Sequence, residues 1–189
     1  MGESSRKTLR LQEFDYSNHR AYFLTCCTKW RAYLFGEVRN GEMLLNAAGK
    51  MIDDQWRMLE ALSPELKFDC HVVMPNHFHA LVWLPEPDVA AAPVAADTNE
   101  NIQKPFRRGE QNERIIKLMH EFKSKTTTEY IKGVKRGEFE SFNVAVWQRT
   151  YYDHILRKSE SVDKVRNYIR TNPHRWGEDM FHPNYKNSE

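Results

Sequence analysis

Residues 67–84 constrain the fold more than any other stretch. Two runs of β-forming residues, Lys-Phe-Asp-Cys-His-Val-Val-Met at 67–74 and His-Phe-His-Ala-Leu-Val-Trp-Leu at 77–84, are separated only by Pro75 and Asn76. Proline and asparagine supply turn chemistry, and Val72, Val73, Val82 and Trp83 favour extended backbone. The segment therefore reads as two strands joined by a tight turn.

The flanking sequence builds a domain around this hairpin. Residues 21–28 (Ala-Tyr-Phe-Leu-Thr-Cys-Cys-Thr) are dense in aromatic and β-prone side chains and predict a buried strand. Gly36 and the Asn40-Gly41 pair mark turns. Over 44–62, Ala48, Ile52, Trp56 and Leu59 fall at helical spacing, with Asp53, Asp54, Arg57 and Glu60 on the polar side. Ser63-Pro64 stops that helix. Residues 113–132 predict a second helix, 144–147 a fourth strand, and 161–171 a last helix ended by Asn172-Pro173. Between them, residues 85–109 carry prolines at 85, 87 and 93, an alanine-rich stretch and a polar tail, a flexible insertion too long for an ordinary connection. The order β-α-β-β-α-β, then a helix, predicts an α+β fold of ferredoxin-like or RRM-like type. Its sheet is antiparallel, its helices lie on one face, and the other face is free for a site or a nucleic acid.

Composition narrows the class. At 189 residues the chain has the length of one domain. With 40% hydrophobic and 29% charged residues it is not a disordered chain, and no apolar run approaches the roughly 18 residues that span a bilayer. Residues 1–10 lack the apolar core of a secretory signal. Three cysteines, two of them adjacent at Cys26 and Cys27, make neither a disulfide framework nor a Cys-x-x-Cys metal knuckle. A soluble cytoplasmic protein without a membrane partner is expected. Gly-x-Gly-x-x-Gly, phosphate-loop and Gly-x-Ser-x-Gly motifs are all missing, so nucleotide-cofactor, kinase and serine-hydrolase classes fall away.

Net charge is only +2, but its distribution is uneven. Basic residues gather at 104–108 and 117–136 (Lys123 and Lys125 among them), then at Arg149, Arg157, Lys158, Lys164, Arg166 and Arg170. A basic C-terminal half suits a phosphate-rich partner as well as it suits ordinary solvated charge.

The sharpest chemical feature is His77-Phe78-His79. Residues i and i+2 of a strand share a face, so two imidazoles project side by side while Phe78 points to the core. That is a metal platform needing a third ligand, or else a pair of surface histidines. Cys70 and His71 are two further candidates nearby. Tyr168 and Asn172 stand four apart and so share one helical face. Tyr168 is a candidate nucleophile or a core residue beside Val165 and Ile169, and Tyr151, Tyr152 and His154 are its rivals. Aromatics interleaved with basic residues over 144–157 also suit base stacking and phosphate binding.

Taken together, Tyr22-Phe23-Leu24-Thr25, Phe35-Gly36-Glu37, Met74-Pro75-Asn76-His77-Phe78-His79, Val146-Trp147-Gln148-Arg149 and Tyr168-Ile169-Arg170-Thr171-Asn172-Pro173 resemble the REP-associated tyrosine transposases. These are the stand-alone relatives of the single-tyrosine HUH transposases. The resemblance implies one HUH domain over 1–189, with its core at 10–183 and 85–109 as a loop insertion. It implies an enzyme that nicks and rejoins single-stranded, hairpin-forming DNA through a 5′-phosphotyrosine link, as a monomer or homodimer associated with the nucleoid. His77, His79 and Asn172 would hold a divalent metal, Mg²⁺ or Mn²⁺, and Tyr168 would attack. Lys123, Lys125, Arg149, Arg157, Arg166 and Arg170 would contact DNA, with Tyr151 or Tyr152 as the alternative nucleophile. The competing class is a non-catalytic nucleic-acid-binding module with an RRM-like sheet.

Overall fold

The computed structural model describes residues 19–85, 113–156 and 159–185. Most of the 85–109 insertion, residues 10–18 of the expected core, and Arg157 lie outside these. Among the described residues, six strands and three α-helices follow in order: β1 (His19–Cys27), β2 (Gly36–Arg39), β3 (Glu42–Leu45), α1 (Ala47–Leu62), β4 (Lys67–Met74), β5 (His77–Pro85), α2 (Glu113–Lys135), β6 (Tyr152–Leu156) and α3 (Ser159–Thr171). The main sheet runs β4-β5-β1-β6 and every neighbouring pair is antiparallel, so the α+β class and antiparallel sheet are as predicted.

Alternation along the two central strands divides the protein into layers. Tyr22, Leu24 and Cys26 of β1 and Phe78, Ala80, Val82 and Leu84 of β5 turn to one side. There they bury against Trp56 and Leu59 of α1 and Met119 and Phe122 of α2. Ala21 of β1 and Leu81 and Trp83 of β5 turn to the other side and pack on Val162 and Ile169 of α3. Helices therefore lie on both faces, and α3 with the chain after it covers the β4–β5 part of the second face, while Tyr152 and His154 of β6 stay exposed there.

Three local expectations change. Residues 144–147 are not the fourth strand. Val144 sits at φ 66, Trp147 makes one isolated bridge to Thr28, and its indole N–H donates to Thr126 Oγ1 inside the helical layer. The edge strand is β6, five residues further on. A second, two-stranded sheet, β2-β3, forms around Asn40-Gly41 where only turns were expected. The first helix therefore starts at Ala47, because Asn46 caps it by accepting from the Gly49 N–H at 2.8 Å. β5 lies between β4 and β1, so the histidine pair occupies an interior strand.

Candidate active site

Strand alternation puts His77 and His79 on the α3 face, with ring centroids 4.6 Å apart, and sends Phe78 against Trp56 and Phe122. Each imidazole is held by its Nδ1. Asn76 donates its amide to the Phe181 carbonyl, so its Oδ1 is an acceptor for His77 Nδ1–H at 2.8 Å. His79 Nδ1 meets Thr25 Oγ1, directly across the β1–β5 ladder, at 2.8 Å. Hydrogen bonds on Nδ1 orient both rings and leave the Nε2 lone pairs for a ligand.

The opposite wall comes from α3 and the turns after it. Arg166, fully buried, forks onto Asp69 and reaches Asp163, which ties α3 to β4. One half-turn on, Tyr168 lies over the histidines, its hydroxyl 3.4 Å from His79 Nε2. Beyond Thr171, turns bonded from Arg175 N to Thr171 and Asn172 carbonyls reverse the chain and bring Asp179 back beneath the helix. Its Oδ2 accepts from the Tyr168 hydroxyl at 3.0 Å and from the Asn172 amide at 2.6 Å. Its Oδ1 accepts from the Phe181 N–H at 2.7 Å.

Burial governs the electrostatics. Desolvation, reinforced by the Arg31 charge, pulls His77 down to about 3, and desolvation with the neighbouring His77 holds His79 well below its usual range. Both rings are thus neutral, the form that binds metals. Burial and the Asp179 carboxylate push the Tyr168 phenol well up, so it rests protonated.

A metal fits these residues. One ligand atom each from His77, His79 and Asp179 lies within 4.8 Å of the others, and all three residues are buried. His77 Nε2 and Asn172 Oδ1 are both buried without a hydrogen bond of ordinary geometry, though the amide is close enough to act on the imidazole. Two imidazoles, a carboxylate and a spare amide oxygen form a mixed nitrogen–oxygen donor set able to hold a divalent metal ion.

Asp179 is the residue that sequence reading missed. It sits in a polar C-terminal stretch without periodicity, and only the reversal after Thr171 makes it a neighbour of His77. The other candidates are dispersed. Arg166 is a correction: with no exposed surface it serves the ion pair with Asp69 and is closed to DNA phosphates. His71 faces α1, where its Nε2 meets Asp53 at 2.6 Å, and is no ligand of this site. Cys70 lies outside the cluster, its thiol pushed up to about 12 by burial. Lys123 bonds the Gln148 and Arg149 carbonyls at 2.8 Å and Lys125 faces Glu121 at 3.8 Å, both on α2. Arg149 and Arg170 are exposed. Tyr151 packs against the helical layer, whereas Tyr152 lines the same cavity as Tyr168 and His79. That cavity, about 590 Å³, opens between Phe23, Asp153, Val165 and Phe181.

No protein-family model matches the chain. An uncharacterized protein of Haemophilus influenzae is 30% identical over 181 residues, which cover 96% of this chain and 95% of that protein. Among solved structures, one similar chain is a REP-associated tyrosine transposase bound to a REP hairpin (16% identity, TM-score 0.49, 89% of this chain and 74% of that one). Another is a proposed transposase of Deinococcus radiodurans (13% identity, TM-score 0.45, 85% and 95%).

Proposed function

We propose that this chain, which belongs to one family with the Haemophilus influenzae protein, is a metal-dependent transposase or nuclease that cleaves and rejoins single-stranded DNA through Tyr168. One observation carries this. A tyrosine hydroxyl stands 3.4 Å from one of two paired, neutral, strand-borne imidazoles and 3.0 Å from a buried carboxylate. The motifs that carry the tyrosine and the two imidazoles are the ones that resemble the single-tyrosine transposases.

His77, His79 and Asp179 would hold the ion, with Asn172 Oδ1 as a further donor, and Mg²⁺ or Mn²⁺ suits that set. When bound, the ion supplies Lewis-acid polarisation of the scissile phosphate. The chain supplies the nucleophile and its proton acceptor. As Tyr168 Oη bonds to phosphorus, its proton passes to Asp179 Oδ2, which already accepts it in a hydrogen bond. The 3′-oxygen leaves with the bonding pair and takes a proton from solvent. The phosphotyrosine diester keeps the energy of the broken link, so another 3′-hydroxyl can reverse the attack and join strands. Thr25 and Asn76 keep the imidazoles aimed throughout.

The test uses labelled single-stranded hairpin DNA with Mn²⁺ and looks for a protein–DNA band that survives denaturation. Wild type and Tyr151→Phe or Tyr152→Phe variants should form it, and Tyr168→Phe should not. A band that persists in Tyr168→Phe and disappears in Tyr152→Phe would move the nucleophile to Tyr152. Cleavage with no band from any protein would replace transposition by hydrolysis.

A further inference from the structure

Four of the five tryptophans are buried, with Trp56, Trp83, Trp147 and Trp176 all at 8% exposure or less, and Trp30 is 70% exposed. Its backbone is unusual too. Trp30 and Arg31 are consecutive left-handed residues, at φ 59 and φ 54, in the 3-10 turn Lys29–Arg31. Bulky L-residues pay for that conformation and glycine does not, so it persists only where the surroundings impose it. Here Lys29 N–H bonds the Val146 carbonyl at 2.8 Å and Thr28 Oγ1 bonds the Ala32 carbonyl at 2.9 Å. Arg31 Nη1 clamps the Met180 carbonyl at 2.8 Å. The outcome is an indole displayed to solvent by a strained, well-anchored turn. Among the described residues, no packing contact accounts for it.

Its setting supplies a reason. Trp30 lines a groove of about 530 Å³ whose other walls include Arg31, Asn76, Phe181 and Tyr185. Asn76 orients His77, and the Phe181 ring lies 4.6 Å from the His77 ring, so the groove shares a wall with the metal site. Arg31 and Phe181 also line the cavity in front of Tyr168, which places one opening on each side of this wall. Positive charge accompanies the indole: the Lys29 ammonium sits over its ring, 4.4 Å from the centroid, and the Arg31 guanidinium lies in the same groove, 5.1 Å from the Phe181 ring. An exposed indole with one cation over its ring and another in its groove matches a nucleobase and the phosphates that flank it.

We propose that Trp30 is a stacking platform for an unpaired base of the DNA strand, next to the nucleotide whose phosphate is attacked. The inference rests on the single-stranded DNA reading above and adds a binding residue to it. It does not involve Tyr168 chemistry, so the two can fail separately.

The experiment uses the full chain carrying Tyr168→Phe, without divalent metal, and a short oligothymidylate. Affinity is read by anisotropy, and shielding of the exposed indole by acrylamide quenching of tryptophan emission. DNA should protect the quenchable fraction, and Trp30→Ala should weaken binding by about 5- to 150-fold, the range for loss of one aromatic–base stack. Trp30→Phe should retain most of the affinity. Trp30→Gly should melt higher than its parent yet bind as weakly as the alanine variant. An oligonucleotide of equal charge lacking bases should neither shield the indole nor distinguish the parent from the Trp30→Ala variant. Undiminished affinity in Trp30→Ala, with the indole still quenchable in the parent's complex, overturns this inference and leaves the proposed function standing. A parent that binds no DNA overturns both.

Discussion

Tyr168 donates its hydroxyl at 3.0 Å to Asp179, eleven positions further along the chain, so the candidate nucleophile and its proton acceptor belong to one continuous segment. The same carboxylate takes the Asn172 amide at 2.6 Å and the Phe181 N–H at 2.7 Å. Replacing it with an amide removes the negative charge that helps hold the phenol proton. Asp179→Asn should therefore lower the Tyr168 titration, visible as earlier tyrosinate absorbance. It should also weaken Mn²⁺ binding by about 10- to 100-fold in calorimetry. Unchanged Mn²⁺ affinity would remove Asp179 from the metal set.

The buried histidines make stability pH-dependent in a defined sense. His77 titrates near 3 when folded and near 6.5 in a free chain, so between those values the unfolded state binds the extra proton. The His77 contribution is full above about pH 6.5 and drains as pH falls toward 3, at up to about 1.4 kcal/mol per pH unit, and His79, held well below its usual range, acts in the same sense. Metal-free protein unfolded by urea should lose stability between pH 7 and pH 5, and His77→Gln should reduce the slope by close to one proton. An identical slope in that variant would mean that His77 is protonated in the native state.

Arg166 is a structural anchor of the tyrosine helix. Its guanidinium faces Asp69, which also accepts the Trp83 indole N–H at 2.8 Å, and both charges are buried. Removing one partner strands the other, so Arg166→Met should cost about 3–5 kcal/mol by urea unfolding, with Asp69→Asn comparably harmful. A loss of DNA affinity with no loss of stability would restore Arg166 as a DNA contact.

Gly49 marks the closest approach of α1 to the chain before β2. A Cβ there would meet the Phe35 carbonyl oxygen at 2.1 Å, and that oxygen already accepts from Asn46 N. Gly49→Ala should destabilise by about 3 kcal/mol through overpacking. The folded fraction should still form the covalent DNA band, because the site lies on the other face of the sheet.

How much of this was legible depended on range. Period-two alternation in 77–84 depends only on strand geometry, so the pairing of His77 with His79 and the burial of Phe78 could be read from residue types. Helical spacing likewise set Tyr168 and Asn172 on one face. Where local signals competed, local reading failed. Val144–Trp147 has strand-forming residues, but the pull of Trp147 toward Thr126 and the α1–α2 layer outweighs propensity. A bulge between Phe68 and Cys70 breaks the alternation of β4 and frees Asp69 to meet Arg166, 97 residues away.

Residue types alone specified the β4–β5 hairpin, the three helices and the two-histidine platform, because each follows from neighbours a few residues apart. Folding in three dimensions settled that Arg166 is an internal ion-pair partner, that His71 meets Asp53, and that Asp179 joins the two histidines. Those outcomes depend on which surfaces the chain brings together after it turns back, and desolvation then forces buried charges to find partners that no sequence spacing specifies.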